Sequence, residues 1–386
     1  GTPADTAETT ETVFRITGRN GSEAECRVVF TVEEAGYKVT DLTKELDVKE
    51  YSDIDLKGHS VVIMSDASDS SGKKVSIYPD DNHDGVADSG RALKIGGKTS
   101  YDLSSRSIYG YKDNTPYEGD ISIYMYGGSI GGLFGAGTSS KGTAQAQVDG
   151  TVSLYVKGGT ISYRTAGAYN ADVKKVELYA TGGSFYQYVY GLQEASADDL
   201  VFHFTDKAHM AQTPSRETYS MYFAKSGTVR KNADIRIGAS GSQVAFADYK
   251  NSMISNKSNS YGFYESTIQG NATFDVVGNW SLGSKSKSWF LNDSTVKGNV
   301  DITLDTTSFG ISNSTGTDLG GSVLVYKGSV GNITVTDKTG CSNYVVAAQC
   351  TVNNIVGKRT VTGTSRGIVT YLYQDSNYTL NGGLYA

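Results

Sequence analysis

Apolar and polar residues alternate along three closely similar stretches of the chain, and each stretch ends at a Gly-Gly pair. The stretches are GDISIYMYGGSI (residues 119–130), GTVSLYVKGGTI (150–161) and KVELYATGGSF (175–185). Alternation with a period of two is typical of a β-strand with one buried face, and glycine pairs are typical of turns. A strand-and-turn unit that recurs in this way predicts a solenoid, in which each copy buries its apolar side against its neighbours.

The alternation can be followed in register through most of the chain. The first inward apolar residue of each predicted strand recurs about every 29 residues, which suits one coil of a parallel β-helix with three short strands and three turns. Unequal intervals indicate loops of different length at the turns. The inward positions are Ile121, Val152, Val176, Leu200, Ala233, Ala272, Val300, Ile333 and Ile355.

A column of Asn and Asp residues comes just before these strands. Both residue types tolerate left-handed backbone conformations, so we expect a tight bend there. Stacked Asn side chains can also hydrogen-bond from coil to coil as a ladder. The copies STIQGNATFDV (266–276) and STVKGNVDITL (294–304) carry the pattern into the second half. The column consists of Asp120, Asp199, Asn232, Asn271, Asn299, Asn332 and Asn354.

The first hundred residues follow a different pattern. Residues 1–10 are predicted to be disordered, and Val13–Val32 looks like two strands joined at an Asn-Gly turn. Residues 40–51 are compatible with a short helix, and residues 53–65 resemble a first coil.

These elements suggest how the chain is divided. A solenoid needs a cover for its terminal repeat, which otherwise exposes apolar surface. We interpret residues 1–50 as a disordered start followed by an N-terminal cap, and residues 51–386 as a parallel β-helix of roughly ten coils. The polar stretch Ser242–Ser260 predicts a projecting loop.

The composition and charge indicate which structures and partners fit this chain. The chain has 386 residues with 46 Gly, 27 Tyr and 4 Pro, which indicates turns and strands rather than long helices. The formal net charge of -6, with no Lys/Arg block, argues against nucleic acid or an anionic membrane as a partner. No apolar stretch approaches the roughly 20 residues that span a bilayer. The oligomeric state stays open.

Three cysteines are too few for a disulfide scaffold. Cys341 and Cys350 are near enough in sequence to form a bridge across a turn. The alternative is that both, together with Cys26, are free thiols packed as small apolar residues.

The repeated unit of a strand, a Gly-Gly pair, Ser or Thr and Ile resembles the repeats of bacterial secreted and cell-surface proteins with right-handed, pectin-lyase-like β-helices. The resemblance covers about residues 53–386 and is to an architecture, so it carries no catalytic residues to this chain. It implies an extracellular or cell-surface bacterial protein, either a polysaccharide-active enzyme or an adhesin-like module. The start, GTPADTAETTETVF, lacks a signal peptide and an initiator Met, so we expect a chain whose export signal has been removed.

One outward column of the predicted sheet is aromatic. Side chains alternate faces along a strand, and neighbouring strands lie about 4.8 Å apart, so three tyrosines would form a continuous stripe that ends at a histidine and an arginine. Tyrosine rings beside polar groups could bind glycans. The alternative is that stacked Tyr only stabilises the sheet. The candidate ligand-binding residues are Tyr124, Tyr155, Tyr179, His203 and Arg236.

Four acids on the same face are compatible with an enzyme active site. Glycoside hydrolysis needs two carboxylates roughly 5–10 Å apart, and lyase chemistry needs a base beside a cation. The acids alternate with Thr and Val instead of clustering, which favours a merely solvated face. The candidate catalytic set of this alternative is Glu177, Asp234, Asp275 and Asp301 with His203 and Arg236.

The stretch DDNHDGVAD (residues 80–88) fits the first nine positions of a calcium-binding loop. Oxygen ligands occupy alternate positions and Gly85 suits the sharp turn, but Arg91 stands where a full EF-hand carries its bidentate Glu. Ca²⁺ is the one cofactor that the sequence suggests, and an acidic turn without an ion is the alternative. The candidate ligands are Asp80, Asn82, Asp84, Val86 and Asp88.

Taken together, the sequence predicts an all-β, right-handed parallel β-helix, secreted or displayed on a bacterial surface. We expect a non-catalytic, adhesin-like protein that binds a polysaccharide, a host glycan or a host protein along its sheet face. A polysaccharide lyase or glycoside hydrolase acting in a groove is the alternative.

Overall fold

The structure is a computed structural model of the whole chain. It describes residues 8–17, 23–32, 40–50, 52–88, 91–138, 144–210, 220–238, 260–277, 288–305, 322–338, 344–348, 350–359, 369–372, 379–380 and 384–385.

The fold is all-β, as predicted. Strands make up 60% of it, and the helix found among the described residues is a single turn, α1 (Leu42–Glu45). The strands of the first half are β1 (Glu8–Thr17), β2 (Glu23–Val32), β3 (Ile54–Asp55), β4 (Val61–Ser65), β5 (Val75–Pro79), β6 (Leu103–Tyr111), β7 (Ile121–Met125), β8 (Ser129–Gly137), β9 (Ala146–Val156), β10 (Thr160–Tyr169), β11 (Ala171–Ala180), β12 (Ser184–Phe185), β13 (Tyr188–Gln193), β14 (Ser196–Phe204) and β15 (His209–Met210). Those of the second half are β16 (Ser220–Lys225), β17 (Thr228–Val229), β18 (Ala233–Ile237), β19 (Ser260–Tyr264), β20 (Thr267–Ile268), β21 (Ala272–Val277), β22 (Ser288–Asn292), β23 (Thr295–Val296), β24 (Val300–Asp305), β25 (Ser322–Tyr326), β26 (Ser329–Asp337), β27 (Tyr344–Ala348), β28 (Thr351–Arg359), β29 (Val369–Leu372), β30 (Thr379–Leu380) and β31 (Leu384–Tyr385).

The chain divides into two compact units, Gly1–Thr40 and Asp41–Ala386. The first unit contains the antiparallel hairpin of β1 and β2, which confirms the predicted pair of strands. Strand β1 begins at Glu8, so the expectation of disorder over residues 1–10 is wrong for its last three residues. The short helix α1 belongs to the second unit, where Leu42 and Leu46 are buried in the core.

Two large sheets make up the second unit. Sheet I has 13 strands in the order β29-β27-β25-β22-β19-β16-β13-β10-β8-β6-β3, with β12 and β15 attached. Sheet II has 16 strands in the order β17-β20-β23-β26-β24-β21-β18-β14-β11-β9-β7-β4-β5, with β28, β30 and β31 attached. Apart from the antiparallel β4–β5 pair, the described pairings within both sheets are parallel. The chain passes back and forth between the two sheets, as from β10 in sheet I to β11 in sheet II.

The register of sheet II agrees with the one read from the sequence. Ile121 pairs with Val152, Val152 with Val176, and this continues strand by strand to Ile355. All nine inward residues are buried in one core that both sheets share. The apolar alternation was sufficient to fix this register because a slip of one residue would turn the whole buried set to the solvent.

The two sheets pack closely because residue sizes on one match those on the other. A Cβ atom on Gly135 of sheet I would lie 2.3 Å from Cγ1 of Val152 in sheet II. Further along, the ring centroid of Phe223 in sheet I lies 5.2 Å from that of Phe202 in sheet II. Close packing of this kind leaves little room for added volume.

The Asn and Asp column forms the predicted hydrogen-bond ladder along sheet II. The backbone N–H of Asn271 donates to Oδ1 of Asn232 at 3.0 Å, and that of Asn299 donates to Oδ1 of Asn271 at 2.8 Å. Each side chain thus supplies an acceptor to a backbone donor of the next strand. The same contact recurs with other members of the column as acceptors: Asp120, Asp199 and Asn299.

The expected left-handed bend at this column is wrong. Left-handed residues instead form a second column directly after the strands of sheet I, with φ between 48° and 51°. No residue of the ladder is among them, because strands such as β14 and β26 continue in extended conformation through their ladder residues. In these repeats the chain therefore leaves sheet I through one left-handed residue. These residues are Asn170, Glu194, Ser226, Glu265, Asp293 and Lys327.

Some predictions fall on parts of the chain that the structure does not describe. The projecting loop at Ser242–Ser260 lies outside the described residues except for Ser260, where β19 begins. Cys341 also lies outside them, so its pairing with the buried Cys350 stays a prediction. Within the described ranges, no helix is long and apolar enough to cross a membrane.

Replacement of one ladder residue tests the ladder. Asn271→Ala removes the acceptor for Asn299 and should lower the free energy of unfolding by about 1 kcal/mol. Asn271→Asp keeps an acceptor oxygen, as Asp120 and Asp199 do in the same column, and should retain most of the stability. Thermal unfolding followed by circular dichroism measures both. Equal losses in the two variants would contradict the ladder.

A glycine at the end of the repeat is needed for two reasons. Gly159 has a φ of +90°, and a Cβ there would lie 2.6 Å from Cε of Met125. Gly159→Ala should therefore cost the left-handed strain of about 1–2 kcal/mol and, in addition, about 1–3 kcal/mol of overpacking. Gly72, with a φ of +64° and no atom within 4 Å of its added Cβ, is the matched control. A loss in Gly72→Ala as large as in Gly159→Ala, measured by chemical denaturation, would refute the packing argument.

Candidate functional site

The predicted tyrosine stripe is a stack of parallel rings on the outer face of sheet II. The ring centroids of Tyr124 and Tyr155 lie 4.4 Å apart, and those of Tyr155 and Tyr179 lie 5.2 Å apart, with interplanar angles of 8° and 7°. His203 continues the column with its ring edge-on to Tyr179 at 5.2 Å. The in-register pairing of β7, β9, β11 and β14 brings these side chains together.

Stacking determines which part of each tyrosine can meet a ligand. The ring faces are turned towards neighbouring rings, so the ring edges and hydroxyl groups are the parts left for a ligand. At one end the stripe is covered by the loop of residues 80–88, since a Cβ on Gly85 would lie 2.7 Å from the Tyr124 ring. The Tyr124 hydroxyl donates to the carbonyl oxygen of His83 at 3.3 Å. The accessible part of the stripe is therefore the hydroxyl edge of Tyr155 and Tyr179.

The Tyr179 hydroxyl is a neutral hydrogen-bond donor at physiological pH. Burial raises the pKa of Tyr179 to about 12, and the negative charge of Glu177 adds to the effect. Burial also raises the pKa of Tyr124. The structure gives the Tyr179 hydroxyl no hydrogen-bond partner among the residues it describes, so this donor is available to a ligand.

Beyond the tyrosines the same face carries paired charges. His203 Nε2 lies 3.3 Å from Oδ2 of Asp234, and Arg236 Nε lies 3.6 Å from Oδ2 of Asp275. Thr273 donates to Oδ1 of Asp234 at 3.0 Å. The hydrogen bond from His203 lowers the pKa of Asp234. The predicted binding residues His203 and Arg236 are thus each held by a carboxylate.

Three of the four acids of the enzymatic alternative are spread along one column. Along the column that holds Glu177 and Asp234, Val201 lies between them, and Thr273 separates Asp234 from Asp301 in the same way. Successive acids of this column are therefore two strands apart, roughly 10 Å. Asp275 lies in the neighbouring column, one strand from Asp234 and from Asp301, and is next to Arg236.

Glu177 is also already engaged. Its Oε1 lies 2.5 Å from Lys175 Nζ, and its Oε2 accepts a hydrogen bond from Ser153 at 3.1 Å. A glycosidase needs one carboxylic acid that keeps its proton beside one carboxylate. The hydrogen bonds from His203 and Thr273 lower the pKa of Asp234 and favour its charged carboxylate instead.

The candidate calcium loop is closed by its own hydrogen bonds. Asp80 is completely buried, and its two carboxylate oxygens accept backbone N–H groups of Asp84 and Gly85, both at 3.1 Å. Gly85, with a φ of +76°, makes the expected sharp turn. Burial raises the pKa of Asp80 to about 6, and the nearby charges of Asp84 and Asp88 act in the same direction.

The other candidate ligands form hydrogen bonds within the loop. Asn82 donates to Oδ2 of Asp84 at 3.0 Å, and Oδ2 of Asp88 accepts from the backbone N–H of Asp81 at 3.1 Å. Val86 is exposed and donates its backbone N–H to Oδ1 of Asp84 at 2.7 Å. In the described part of the chain, no three His, Cys, Asp or Glu residues are arranged to hold a metal ion. Calcium binding stays a prediction.

A second aromatic cluster lies on the outer face of sheet I, and the sequence interpretation missed it. Its rings come from strands β6 to β19. The guanidinium centre of Arg164 lies 5.0 Å from the ring centroid of Tyr169 in this cluster and 5.0 Å from that of Tyr163 beside it. A signal was present in the tyrosine-rich stretches SYRTAGAY and FYQYVY. The register was followed along sheet II alone, so these tyrosines were not assigned to a face. The cluster contains Tyr109, Phe134, Tyr169, Tyr188, Tyr190, Tyr222 and Tyr264.

Titration with Ca²⁺ tests the loop of residues 80–88. Each carboxylate oxygen has a second lone pair, and a divalent cation would relieve the repulsion among Asp80, Asp84 and Asp88. We expect calorimetry to show binding heat for the wild type and none for Asp84→Ala. Asp305→Ala, at an exposed position in β24, is the control and should bind as the wild type does. If the wild type shows no binding heat, the calcium site is refuted.

No family model, curated protein or solved structure matches this chain. The resemblance to bacterial secreted β-helix proteins therefore stays a prediction. The function has to be argued from the geometry of the two outer faces.

Proposed function

We propose that this chain is a non-catalytic, adhesin-like module of a bacterial cell surface, and that it binds glycans along the outer face of sheet II. The scaffold in this proposal is a right-handed parallel β-helix of roughly ten coils. Its support is the passage of the chain back and forth between two parallel sheets, with each strand paired to the strand one repeat later.

The tyrosine stack is the observation that carries the proposal. It places one aromatic edge on each successive strand, and the strands lie about 4.8 Å apart, a distance comparable to one sugar unit of an extended polysaccharide. A repeating ligand could then make the same contact on each strand it crosses. Tyrosine suits this role because its ring edge is apolar and its hydroxyl hydrogen-bonds to sugar hydroxyls. Stacked rings are also rigid, which lowers the entropy cost of binding.

The enzymatic alternative has weaker support. Its most favourable feature is the pair of His203 and Asp234 beside Arg236, a possible base next to a cation. Against it, Asp234 also accepts a hydrogen bond from Thr273, and Arg236 lies next to Asp275. Both carboxylate oxygens of Asp234 are thus engaged, and the charge of Arg236 is paired with that of Asp275. A binding surface accounts for the same residues without requiring a reactive carboxyl group.

Removal of a single hydroxyl tests the proposal without disturbing the stack. Tyr179→Phe keeps the ring and removes the donor, so we expect thermal stability to be retained and the affinity for a bound polysaccharide to fall about five- to tenfold. The measurement is a screen of immobilised polysaccharides by biolayer interferometry. Thr303→Val removes a hydroxyl from the same outward column beyond the tyrosines, and it should bind as the wild type does.

The same screen separates binding from catalysis. Each retained polysaccharide is assayed for the release of reducing or unsaturated ends, and we expect none. Binding that is unchanged in Tyr179→Phe would refute the role of the stripe. Turnover that is lost in Asp234→Asn would establish the enzymatic alternative instead.

A further inference from the structure

The outer face of sheet I holds an arginine among tyrosine rings. We call Arg164 and its four tyrosine neighbours the Arg164 site. The guanidinium centre lies 5.0 Å from the ring centroids of Tyr163 and Tyr169, 5.5 Å from that of Tyr188 and 5.7 Å from that of Tyr190. Pairing of β10 with β13 places Arg164 beside Tyr188 and Ala166 beside Tyr190.

The sequence explains why the rings gather here. Tyr109, Phe134, Ala166, Tyr190 and Tyr222 form one outward column across five strands. Ala166 interrupts this aromatic column with a single methyl group. Arg164 lies two residues before Ala166 and therefore on the same face, so its long side chain can lie across the gap.

The positive charge of Arg164 has no acidic partner in the described part of the chain. Its Nη2 donates to the hydroxyl of Tyr163 at 3.2 Å, and its buried Nε has no hydrogen-bond acceptor. Arg230, associated with sheet II, shows the contrast: its Nη1 lies 2.7 Å from Asp172 and its Nε lies 2.6 Å from Asp198.

A second cation on the same face is arranged in the same way. Lys225 Nζ lies 5.4 Å from the ring centroid of Tyr222, and no described carboxylate forms an ion pair with it. Arg164 in β10 and Lys225 in β16 are separated by the single strand β13, so the strands that carry them are roughly 10 Å apart. Lys112 also lies over a ring, that of Tyr109. It is left out of the site because the carboxyl group of Asp55 is close enough to interact with it.

Cations held on aromatic rings keep their charge available to other partners. An aromatic face attracts a cation through its quadrupole but does not neutralise it. A guanidinium in such surroundings is partly desolvated, which strengthens a charge-assisted hydrogen bond to an incoming anion. On sheet II the cations Lys175 and Arg236 are next to carboxylates. The two outer faces therefore differ in the kind of ligand they favour.

We propose that the Arg164 site binds the acidic group, carboxylate or sulfate, of an anionic polysaccharide, with Lys225 as a second contact along the polymer. This inference rests on the proposed glycan-binding function; it names the ligand class and adds a second binding face. Tyr163 is 40% exposed and gives a sugar ring an aromatic surface beside the acidic group. A polymer suits the face better than a free ion because the two cations lie on separate strands.

Three polymers with one backbone test the proposal: dextran, carboxymethyl-dextran and dextran sulfate. The full chain is measured against each by biolayer interferometry at low and at physiological salt. We expect the charged polymers to bind at least about tenfold more tightly than dextran, with an advantage that shrinks as salt screens the charges. Arg164→Gln should weaken binding of the charged polymers about tenfold or more, and Arg164→Lys should restore part of it. Arg230→Gln removes an arginine that is paired with Asp172 and Asp198 and should leave their binding unchanged.

A second variant, Lys225→Gln, keeps the proposal testable if Arg164→Gln unfolds. Lys225→Gln changes a residue that contacts one ring instead of four and should weaken binding of the charged polymers about threefold, roughly 0.7 kcal/mol. Folding of each variant is checked by circular dichroism. The proposal is overturned if folded Arg164→Gln binds the charged polymers within twofold of the wild-type affinity. If Arg164→Gln is unfolded, the same result in Lys225→Gln overturns it.

Other outcomes separate this inference from the proposed function. Binding of polysaccharides that depends on Tyr179 and not on Arg164 would overturn the Arg164 site and leave the sheet II proposal standing. Loss of charged-polymer binding in Arg164→Gln, with no effect of Tyr179→Phe, would support the Arg164 site and transfer the binding role to sheet I. Failure of the wild type to bind any polysaccharide would refute both.

Discussion

Parallel, in-register pairing between strands one repeat apart is the constraint on which the rest of the structure depends. Equivalent positions of successive repeats lie next to each other in columns, so a residue type that recurs in the sequence becomes continuous in space. Apolar columns form the shared core, and Asn and Asp form the ladder. Matching of residue sizes between the sheets, as at Gly135 and Val152, lets the two faces close on each other.

The outer columns use the same constraint for different chemistry. On sheet II, rings stack on rings, and opposite charges such as those of Lys175 and Glu177 lie next to each other. On sheet I, Arg164 and Lys225 lie over tyrosine rings and have no described carboxylate partner. The first arrangement offers neutral hydroxyl edges, and the second offers unneutralised positive charge.

Much of sheet II could be predicted from the sequence because apolar alternation specifies register strongly. The order from Ile121 to Ile355 and the stacking of Tyr124 on Tyr155 follow from that alternation alone. The left-handed column could not be found in this way, because its residues include Glu194 and Lys327, which share no side-chain chemistry. The Arg164 site was missed because the strands of sheet I place glycines such as Gly135 on their inner face, which hides the apolar alternation.

The central claim is the in-register pairing of strands one repeat apart, and disulfide trapping tests it most directly. With the native cysteines replaced by Ser, cysteines at Thr273 and Asp301 occupy paired positions of β21 and β24. Their Cα atoms should lie about 4.8 Å apart, within the range of roughly 4.4–6.8 Å that a disulfide spans. Cysteines at Thr273 and Thr303 are two residues out of register and serve as the control. We predict that the first pair forms a disulfide in the folded protein and the second does not; efficient bridging by the second pair alone would contradict the register.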